Sequence, residues 1–233
     1  MALFYVPNLS VGHVLPEEES QHAVKVLRMQ VGDAISVVDG FGGFYDAVIS
    51  NPHPKHCEFE IKKTILEFGK REYKIHIAIA PTKNIERLEW FIEKATEIGV
   101  DEITPIICRF SERKIVKAER LEKIIVSASK QSLKAYFPVL NSQCTFDELI
   151  SNHKASQKFI AHCYEDDKVL LKNEIKESSD VLILIGPEGD FSKEEVQSAI
   201  LHDFIPVSLG ESRLRTETAG VVACHTIAIL NQH

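Results

Sequence analysis

The pattern of apolar and polar positions changes character near residue 70. Before it the apolar runs are short and predict strands at 3–6, 34–38, 44–49 and 58–65. Residues 39–43, Asp-Gly-Phe-Gly-Gly, are typical of a hairpin loop between the second and third of these strands. Helical spacing is found at 18–29. Several short strands at this spacing predict a small β-barrel or sandwich over residues 1–70.

From residue 73 to residue 233, strand patterns alternate with helical ones. The predicted strands are 74–80, 103–108, 159–163, 181–185 and 205–210. The predicted helices are 84–98 (begun by Asn84 and ended by Gly99), a basic helix ending near Lys134, 166–177, one opening at Ser192, and 218–230. This alternation predicts an α/β domain with a mainly parallel sheet covered on both faces. Residues 69–72 are the expected linker.

Two of the apolar runs end in glycine-containing loops that lead into helices. The first loop is Gly186-Pro187-Glu188-Gly189, and the second begins at Leu209-Gly210 and continues to Thr216-Glu217-Thr218-Ala219. Because the backbone N–H groups of such loops face a ligand, the pair predicts one cofactor pocket. Neither G-x-G-x-x-G nor G-x-x-x-x-G-K-[ST] is present, which disfavours a dinucleotide or a triphosphate.

The last predicted helix, 218–230, is apolar nearly all round. Such a helix must be buried on more than one side. The second partner is either the same domain or another copy of the chain, and the small residues of this helix favour a dimer contact.

Charge is distributed unevenly along the chain. The net charge of −7 divides into +5 for Arg109–Lys134, with eight basic and three acidic residues, and −12 for the rest. A concentrated basic face on an acidic protein indicates contact with nucleic-acid phosphates. The alternative is a solvated helix face with intrahelical ion pairs.

Cysteine and histidine spacing argues against a metal centre or disulfides. The five cysteines are far apart and form no Cys-x-x-Cys, and the ten histidines show no ligand spacing. We therefore expect no metal and a location in the reducing cytoplasm. No apolar run approaches the roughly 20 residues that span a bilayer, and no signal peptide is expected.

The loop sequences resemble those of the RsmE family. The matching motifs are Ile185-Gly-Pro-Glu-Gly-x-Phe-Ser192, Leu209-Gly210, Leu214-Arg-Thr-Glu-Thr-Ala219, His22-x-x-x-Val-Leu-Arg28, Glu89-Trp-x-x-x-Lys-Ala-Thr-Glu-x-Gly-Val100 and Gln131-Ser132. This family consists of SPOUT-superfamily methyltransferases that act on N3 of a uridine in 16S ribosomal RNA. The resemblance covers nearly the whole chain.

The resemblance implies an N-terminal PUA-like β-barrel that binds RNA and a SPOUT domain with a deep trefoil knot, a rare exception to unknotted topology. It implies a homodimer, S-adenosylmethionine as cofactor and 16S rRNA or the small ribosomal subunit as partner, with no membrane. The implied cofactor residues are Gly186, Pro187, Glu188, Gly189, Leu209, Gly210, Leu214, Arg215, Thr216, Thr218 and Ala219.

Methylation of N3 requires removal of a weakly acidic proton, so a base or a stabilising cation is expected. Arg215 is the candidate cation, and Glu217 and Glu188 are candidate bases. The alternative role of the segment from Thr216 to Thr218 is helix capping. The candidate RNA contacts are His22, Arg28, Arg113, Lys114, Lys117, Gln131 and Lys134.

The chain departs from the family pattern at four places. Asp190 replaces a usual glycine, Ser212 and Lys134 replace frequent arginines, and Ala2-Leu3 occupies a region where an arginine is common. Two other functions therefore stay open. One is methylation of tRNA ribose by a relative in the same superfamily, and the other is RNA binding without catalysis.

Overall fold

A computed structural model describes residues 2–9, 12–153, 155–165 and 168–232. The chain forms two compact units. The first contains the residues up to Lys70 together with Val126–Phe137, and the second contains Arg71–Ile125 and Pro138 onward.

The first unit contains a four-stranded sheet. Its elements are β1 (Leu3–Tyr5), α1 (Glu17–Gln21), a π-helical turn (His22–Val26), β2 (Ala34–Val38), β3 (Phe44–Asn51) and β4 (Glu58–Ile65). The strand order is β1-β2-β3-β4, parallel at β1–β2 and antiparallel elsewhere. Val14 forms an antiparallel bridge to Glu58, so the segment after β1 also reaches the β4 edge. The sheet encloses a core that includes Phe4, Ile35 and Phe59.

The predicted hairpin at residues 39–43 is confirmed. Asp39 Oδ1 accepts from the backbone N–H groups of Phe41 (2.7 Å) and Gly43 (2.9 Å). Gly40 and Gly42 have φ of 85° and 99°, which L-residues with a side chain rarely adopt. The turn itself therefore accounts for the glycines at positions 40 and 42.

The second unit is built on a parallel sheet. Its strands are β5 (Ile75–Ile79), β6 (Glu102–Ile107), β7 (Val139–Leu140), β8 (Cys144–Thr145), β9 (Gln157–Ala161), β10 (Val169–Leu170), β11 (Val181–Ile185) and β12 (Ile205–Ser208). Their order is β10-β12-β9-β11-β5-β6-β7, and β8 pairs with β6. Every pairing between these strands is parallel, which confirms the predicted sheet type.

Helices cover both faces of this sheet. They are α2 (Ile85–Ile98), α3 (Ala118–Gln131), α4 (Phe146–Asn152), α5 (Leu171–Glu174), α6 (Lys193–Leu201) and α7 (Thr216–Leu230). On one face Ile77 packs in a cluster with Phe91 of α2 and Ile227 of α7. On the other face Leu184 packs with Phe146 of α4 and Val196 of α6. The boundary between the two units falls within α3. Its first eight residues belong to the second unit, and its last six belong to the first.

The predicted start and end of α2 and the predicted start of α6 are confirmed. Asn84 Oδ1 accepts from Glu86 N–H at 3.1 Å, and Gly99 ends α2 with φ of 116°. Ser192 and Glu195 form the expected reciprocal capping box. Both helices therefore begin where their local sequence specifies.

The predicted helix at 166–177 is wrong. Its first two residues, 166 and 167, lie outside the described part of the chain. Val169 and Leu170 instead pair with Val207 and Ser208 at the sheet edge, and α5 is only four residues long. Strand pairing thus overrides the local helical propensity.

Within this chain α7 is buried on one face, and the dimer contact expected for its other side stays a prediction. Its buried residues, including Gly220, Ala223 and Ile227, share one face, whereas Ile229 is 50% exposed. On the buried face a Cβ at Gly220 would lie 2.6 Å from Phe91 Cε2, so α7 and α2 pack too closely for a larger residue. Among the residues that the structure describes, no helix combines the length and apolar character needed to cross a membrane.

Candidate functional site

The two glycine loops lie at the carboxyl ends of two parallel strands of the same sheet. The first loop follows β11, and the second follows β12; β9 lies between these two strands in the sheet. This edge is where open α/β sheets bind ligands.

A side-chain hydrogen bond joins the loops. Thr216 Oγ1 donates to the carbonyl oxygen of Gly186 at 3.0 Å, and both residues are buried. Arg215 occupies the N-cap position of α7 without a side-chain cap. The capping role considered for Thr216 is therefore wrong, because its hydroxyl bonds the other loop instead.

Each loop has a local reason for its glycine. A Cβ at Gly186 would lie 3.1 Å from the Phe191 ring, which is fully buried beneath the loop. Gly210 has φ of 135°, and its N–H donates to Ser208 Oγ at 3.2 Å. The first position is restricted by space and the second by backbone conformation.

Two adjoining cavities lie between these loops. The first-loop cavity, about 400 Å³, is lined by Gly186, Pro187, Glu188 and Thr216 among others. The second-loop cavity, about 430 Å³, is lined by Leu209 and Gly210 among others. They share Ala161, Cys163, Asp190, Arg213, Leu214 and Ala219. Their volumes fall in the range of small-molecule sites.

The structure brings together nine of the eleven predicted cofactor residues at these two cavities. They are Gly186, Pro187, Glu188, Leu209, Gly210, Leu214, Arg215, Thr216 and Ala219. Thr218 lines a third cavity beside them. Gly189 does not line any of the three, and a Cβ there would lie 3.1 Å from Phe110 Cβ.

Asp190 links the first loop to the chain after β9. Its Oδ2 accepts from Cys163 N–H at 2.7 Å, and its Oδ1 accepts from Phe191 N–H at 2.8 Å. Its φ of 66° is left-handed, a conformation that Asp tolerates better than most residues. Burial and the Asp190 charge raise the pKa of the Cys163 thiol.

The three candidate catalytic residues differ in environment. Arg215 is exposed at the first-loop cavity, and the side chain of Glu188 accepts from Lys83 N–H at 2.9 Å. Glu217 is only 7% exposed, and its Oε1 lies 3.8 Å from Arg87 Nε. Glu188 therefore holds a neighbouring loop, while Glu217 places a buried carboxyl group beside an arginine.

The predicted RNA-contact residues fall in both units. His22, Arg28 and Gln131 are exposed, and Lys134 partly exposed, in the first unit; Lys114 and Lys117 are exposed in the second. Arg113 is not part of a solvated face, because it donates to the carbonyl oxygens of Thr82 (3.0 Å) and Lys83 (2.8 Å).

The basic helix predicted between residue 108 and Lys134 is shorter than expected, and Arg113, Lys114 and Lys117 lie before it. The helix α3 begins only at Ala118. Gln143 holds the preceding segment in an irregular conformation, since its side chain accepts from Val116 N–H and donates to Lys114 O.

The alternative of ion pairs within the basic helix is also wrong, because among the described residues the ion pairs of α3 are made with other helices. Arg120 pairs with Glu89 of α2, and Lys130 pairs with Glu19 of α1. These contacts connect α3 to other helices within each unit.

One group of side chains outside the loops has the composition of a metal site. The ligand atoms of His76, Glu102 and His153 lie within 4.8 Å of one another. However, His153 Nδ1 accepts from Ala155 N–H (3.0 Å), which places the ring proton on Nε2, 2.8 Å from His76 Nδ1. His76 then donates through Nε2 to Thr104 Oγ1 at 2.7 Å. One chain of hydrogen bonds thus uses the nitrogens that a metal would need.

Arg87 and Trp90 are site residues that the sequence pattern does not predict. Both lie on α2 and line the third cavity. Their spacing of three residues near the start of a predicted helix, and the fact that Trp90 is the only tryptophan, are signals that could have identified them.

Comparison with known proteins assigns the class. A family model described as an RNA methyltransferase domain matches residues 70–228, and one described as an RNA methyltransferase PUA domain matches residues 15–62. The parallel sheet, the paired loops and these matches together define an RNA methyltransferase.

The relatives narrow this to a family. The ribosomal RNA small subunit methyltransferase E of Buchnera aphidicola subsp. Acyrthosiphon pisum is 30% identical, over 93% of this chain and 87% of that protein. A crystal structure of a probable rRNA methyltransferase from Porphyromonas gingivalis superposes with a TM-score of 0.94 at 47% identity, covering 99% of this chain and 98% of that one. A ribosomal RNA small subunit methyltransferase E from Neisseria gonorrhoeae, bound to S-adenosylmethionine, gives 0.86 at 29% identity with the same coverage. The chain belongs to the ribosomal RNA small subunit methyltransferase E family.

Proposed function

We propose that this protein transfers the methyl group of S-adenosylmethionine to N3 of a uridine in 16S ribosomal RNA of the small subunit. The observation that carries the proposal is the pair of glycine loops tied by Thr216 and Gly186 around adjoining cavities. Full-length similarity to ribosomal RNA small subunit methyltransferases, one of them bound to this cofactor, supports it.

The residues at the cavities fit the cofactor. Two adjoining cavities of about 400 and 430 Å³, which share a wall, offer volumes typical of small-molecule sites. Backbone groups at Gly186, Pro187 and Gly210 would hold it closely, because side chains are missing or compact there. The cofactor when bound supplies a methyl carbon on a positively charged sulfur.

The chain's own residues then position and activate the acceptor. Arg215, exposed at the first-loop cavity, would stabilise the negative charge that develops on the uracil oxygens as N3 loses its proton. Glu217 is better suited than Glu188 to act as base, because Glu188 already accepts a hydrogen bond from Lys83. Thr216 and Thr218 shape the start of α7 around these groups.

The proposal includes the assembly implied by the family. We propose a deep trefoil knot in which the segment from 209 to 219 passes beside the first loop, supported by the Thr216–Gly186 contact. We also propose a homodimer that covers the exposed face of α7, where Ile229 is half exposed. A PUA-like domain over residues 1–70 and a methyltransferase domain over 73–233 would both contact RNA, in the cytoplasm.

A single measurement tests the reaction. Mass spectrometry of 16S rRNA from cells lacking the protein should reveal the loss of one 3-methyluridine, which returns when the gene is restored. If 3-methyluridine is still present in these cells, the proposal is rejected. Loss of a ribose methyl group from tRNA would instead support a tRNA ribose methyltransferase. Calorimetric titration with S-adenosylmethionine separates an enzyme from a non-catalytic RNA-binding relative.

A further inference from the structure

A third cavity adjoins the two cofactor cavities and extends away from the glycine loops towards α2. This Trp90 cavity, of about 560 Å³, lies between the first turns of α2 and α7. It shares Arg87, Arg213, Leu214 and Arg215 with the first-loop cavity. A methyl acceptor must lie next to its donor, so a neighbouring cavity with a common wall is the right place for one.

One wall of the Trp90 cavity carries an unsatisfied acceptor. Glu217 lines it and is only 7% exposed, and its Oε2 is buried without a hydrogen-bond partner among the described residues. Leaving a buried carboxylate oxygen unpaired costs free energy. Such an atom is suited to a ligand that brings its own donor, and the N3–H group of uracil is one.

The other walls suit a nucleotide. Trp90 is 44% exposed and provides an aromatic surface on which a base can stack. Arg87, Arg213 and Arg215 supply positive charge for the uracil oxygens and for the RNA backbone. An aromatic surface, cations and a carboxylate with one oxygen free of hydrogen bonds are the groups that recognise an extruded uridine.

We propose that the Trp90 cavity receives the target uracil, stacked on Trp90, with its N3–H donated to Glu217. The inference rests on the proposed function and names its acceptor site. In the reaction the N3 proton passes to the Glu217 carboxylate, and the N3 electron pair forms the new bond to the methyl carbon. The carbon–sulfur bond breaks and its electron pair stays on sulfur, which leaves neutral S-adenosylhomocysteine. The protonated Glu217 then releases its proton to water.

The test compares variants on small ribosomal subunits from cells lacking the protein. We expect Glu217→Gln to lower kcat by about 100-fold or more, the scale of general-base catalysis, with S-adenosylmethionine affinity within about twofold of wild type. Its residual rate should rise with pH, because hydroxide must then remove the N3 proton. Arg87, Arg213, Arg215 and Glu86 are the charged groups that share the cavity with Glu217.

Trp90 is tested by a pair of substitutions. We expect Trp90→Ala to raise KM for the subunits about tenfold, through loss of stacking. Trp90→Phe keeps an aromatic ring and should have a KM close to that of the wild type. Glu93→Gln, on the same helix but outside the cavity, is the matched control and should behave as wild type.

The outcomes separate the two proposals. Wild-type rates in Glu217→Gln and Trp90→Ala overturn the acceptor site alone. A change in oligomeric state in Trp90→Ala with unaltered KM also overturns it, because the cavity is then a protein contact. A wild-type protein that binds S-adenosylmethionine yet leaves the subunits unmethylated overturns the proposed function as well.

Discussion

The hydroxyl of Thr216 donates to the carbonyl oxygen of Gly186 across 3.0 Å, joining residues thirty positions apart in the chain. Both residues are buried, so the bond is shielded from water. It ties the start of α7 to the end of β11 and thereby fixes the walls of the first-loop cavity.

Replacing Thr216 with valine should loosen that wall. The change keeps the side-chain shape but leaves the Gly186 carbonyl without this donor, at a cost of about 1–3 kcal/mol in the free energy of unfolding. We expect weaker S-adenosylmethionine binding by calorimetry, and Thr216→Ser should retain most of it. Equal affinity in Thr216→Val and wild type would show that the bond does not shape the cavity.

Asp190 should favour the positively charged cofactor over its neutral product. Its carboxylate is held by Cys163 N–H and Phe191 N–H at the wall that both cofactor cavities share. Asp190→Asn tolerates the same left-handed backbone and removes the charge, so it should reduce the preference for S-adenosylmethionine over S-adenosylhomocysteine by about three- to tenfold.

The matched variant for Asp190 is Asp190→Gly, which also accepts the backbone conformation but removes both hydrogen bonds. It should weaken the binding of both molecules. Calorimetric titrations with each molecule check both results, and an unchanged ratio in Asp190→Asn would contradict the role of charge.

Lys114 and Lys117 should contribute to RNA affinity without affecting the cofactor. Both are exposed. We expect Lys114→Ala with Lys117→Ala to weaken rRNA binding and to reduce the slope of log affinity against log salt by about 1–2, as expected for two phosphate contacts. Filter binding over a salt series measures this.

Arg113→Ala is the informative comparison, because Arg113 holds the carbonyl oxygens of Thr82 and Lys83. Arg113→Ala should mainly lower the free energy of unfolding, with a smaller effect on the salt dependence of rRNA binding. If the double lysine variant lost cofactor affinity to the same degree as RNA affinity, the assignment of these lysines to RNA would be wrong.

Stability should fall in mild acid because of His76. Burial, and then the neighbouring His153, lower the pKa of His76 from 6.5 to about 3. Between these values the unfolded chain binds more protons than the folded one, so the free energy of unfolding decreases as pH falls from about 6.5 towards 3, by up to about 1.4 kcal/mol per pH unit.

Urea unfolding at a series of pH values, followed by the fluorescence of the single tryptophan, measures that slope. His76→Asn should flatten it between about pH 4 and 6. An identical slope in this variant would assign the acid sensitivity to other groups.

The features that could be predicted from sequence are those that depend on residues a few positions apart in the chain. The capping box of Ser192 and Glu195, the Asn84 cap and the glycine loops depend on spacings of a few residues, and the structure contains each of them. Gly210 is an example, since its φ of 135° follows from its place in a tight loop.

The features that could not be predicted depend on distant partners. Nothing near Thr216 indicates that its hydroxyl bonds Gly186 rather than its own helix. The strands β7 and β8 have two residues each, too few for a periodic signal, and form only through pairing with β6. The unpaired oxygen of Glu217 likewise becomes visible only when α2 packs against α7.

The position of Cys163 makes the cofactor cavities accessible to covalent chemistry. Its thiol is exposed at the wall shared by both cavities, whereas Cys57, Cys108 and Cys224 are buried and Cys144 is partly so. Because burial and the Asp190 charge raise the pKa of this thiol, the thiolate forms only at higher pH. A maleimide added at that pH would report by its labelling rate whether the cavities are filled. The protein thus carries its own attachment point for a fluorescent occupancy sensor.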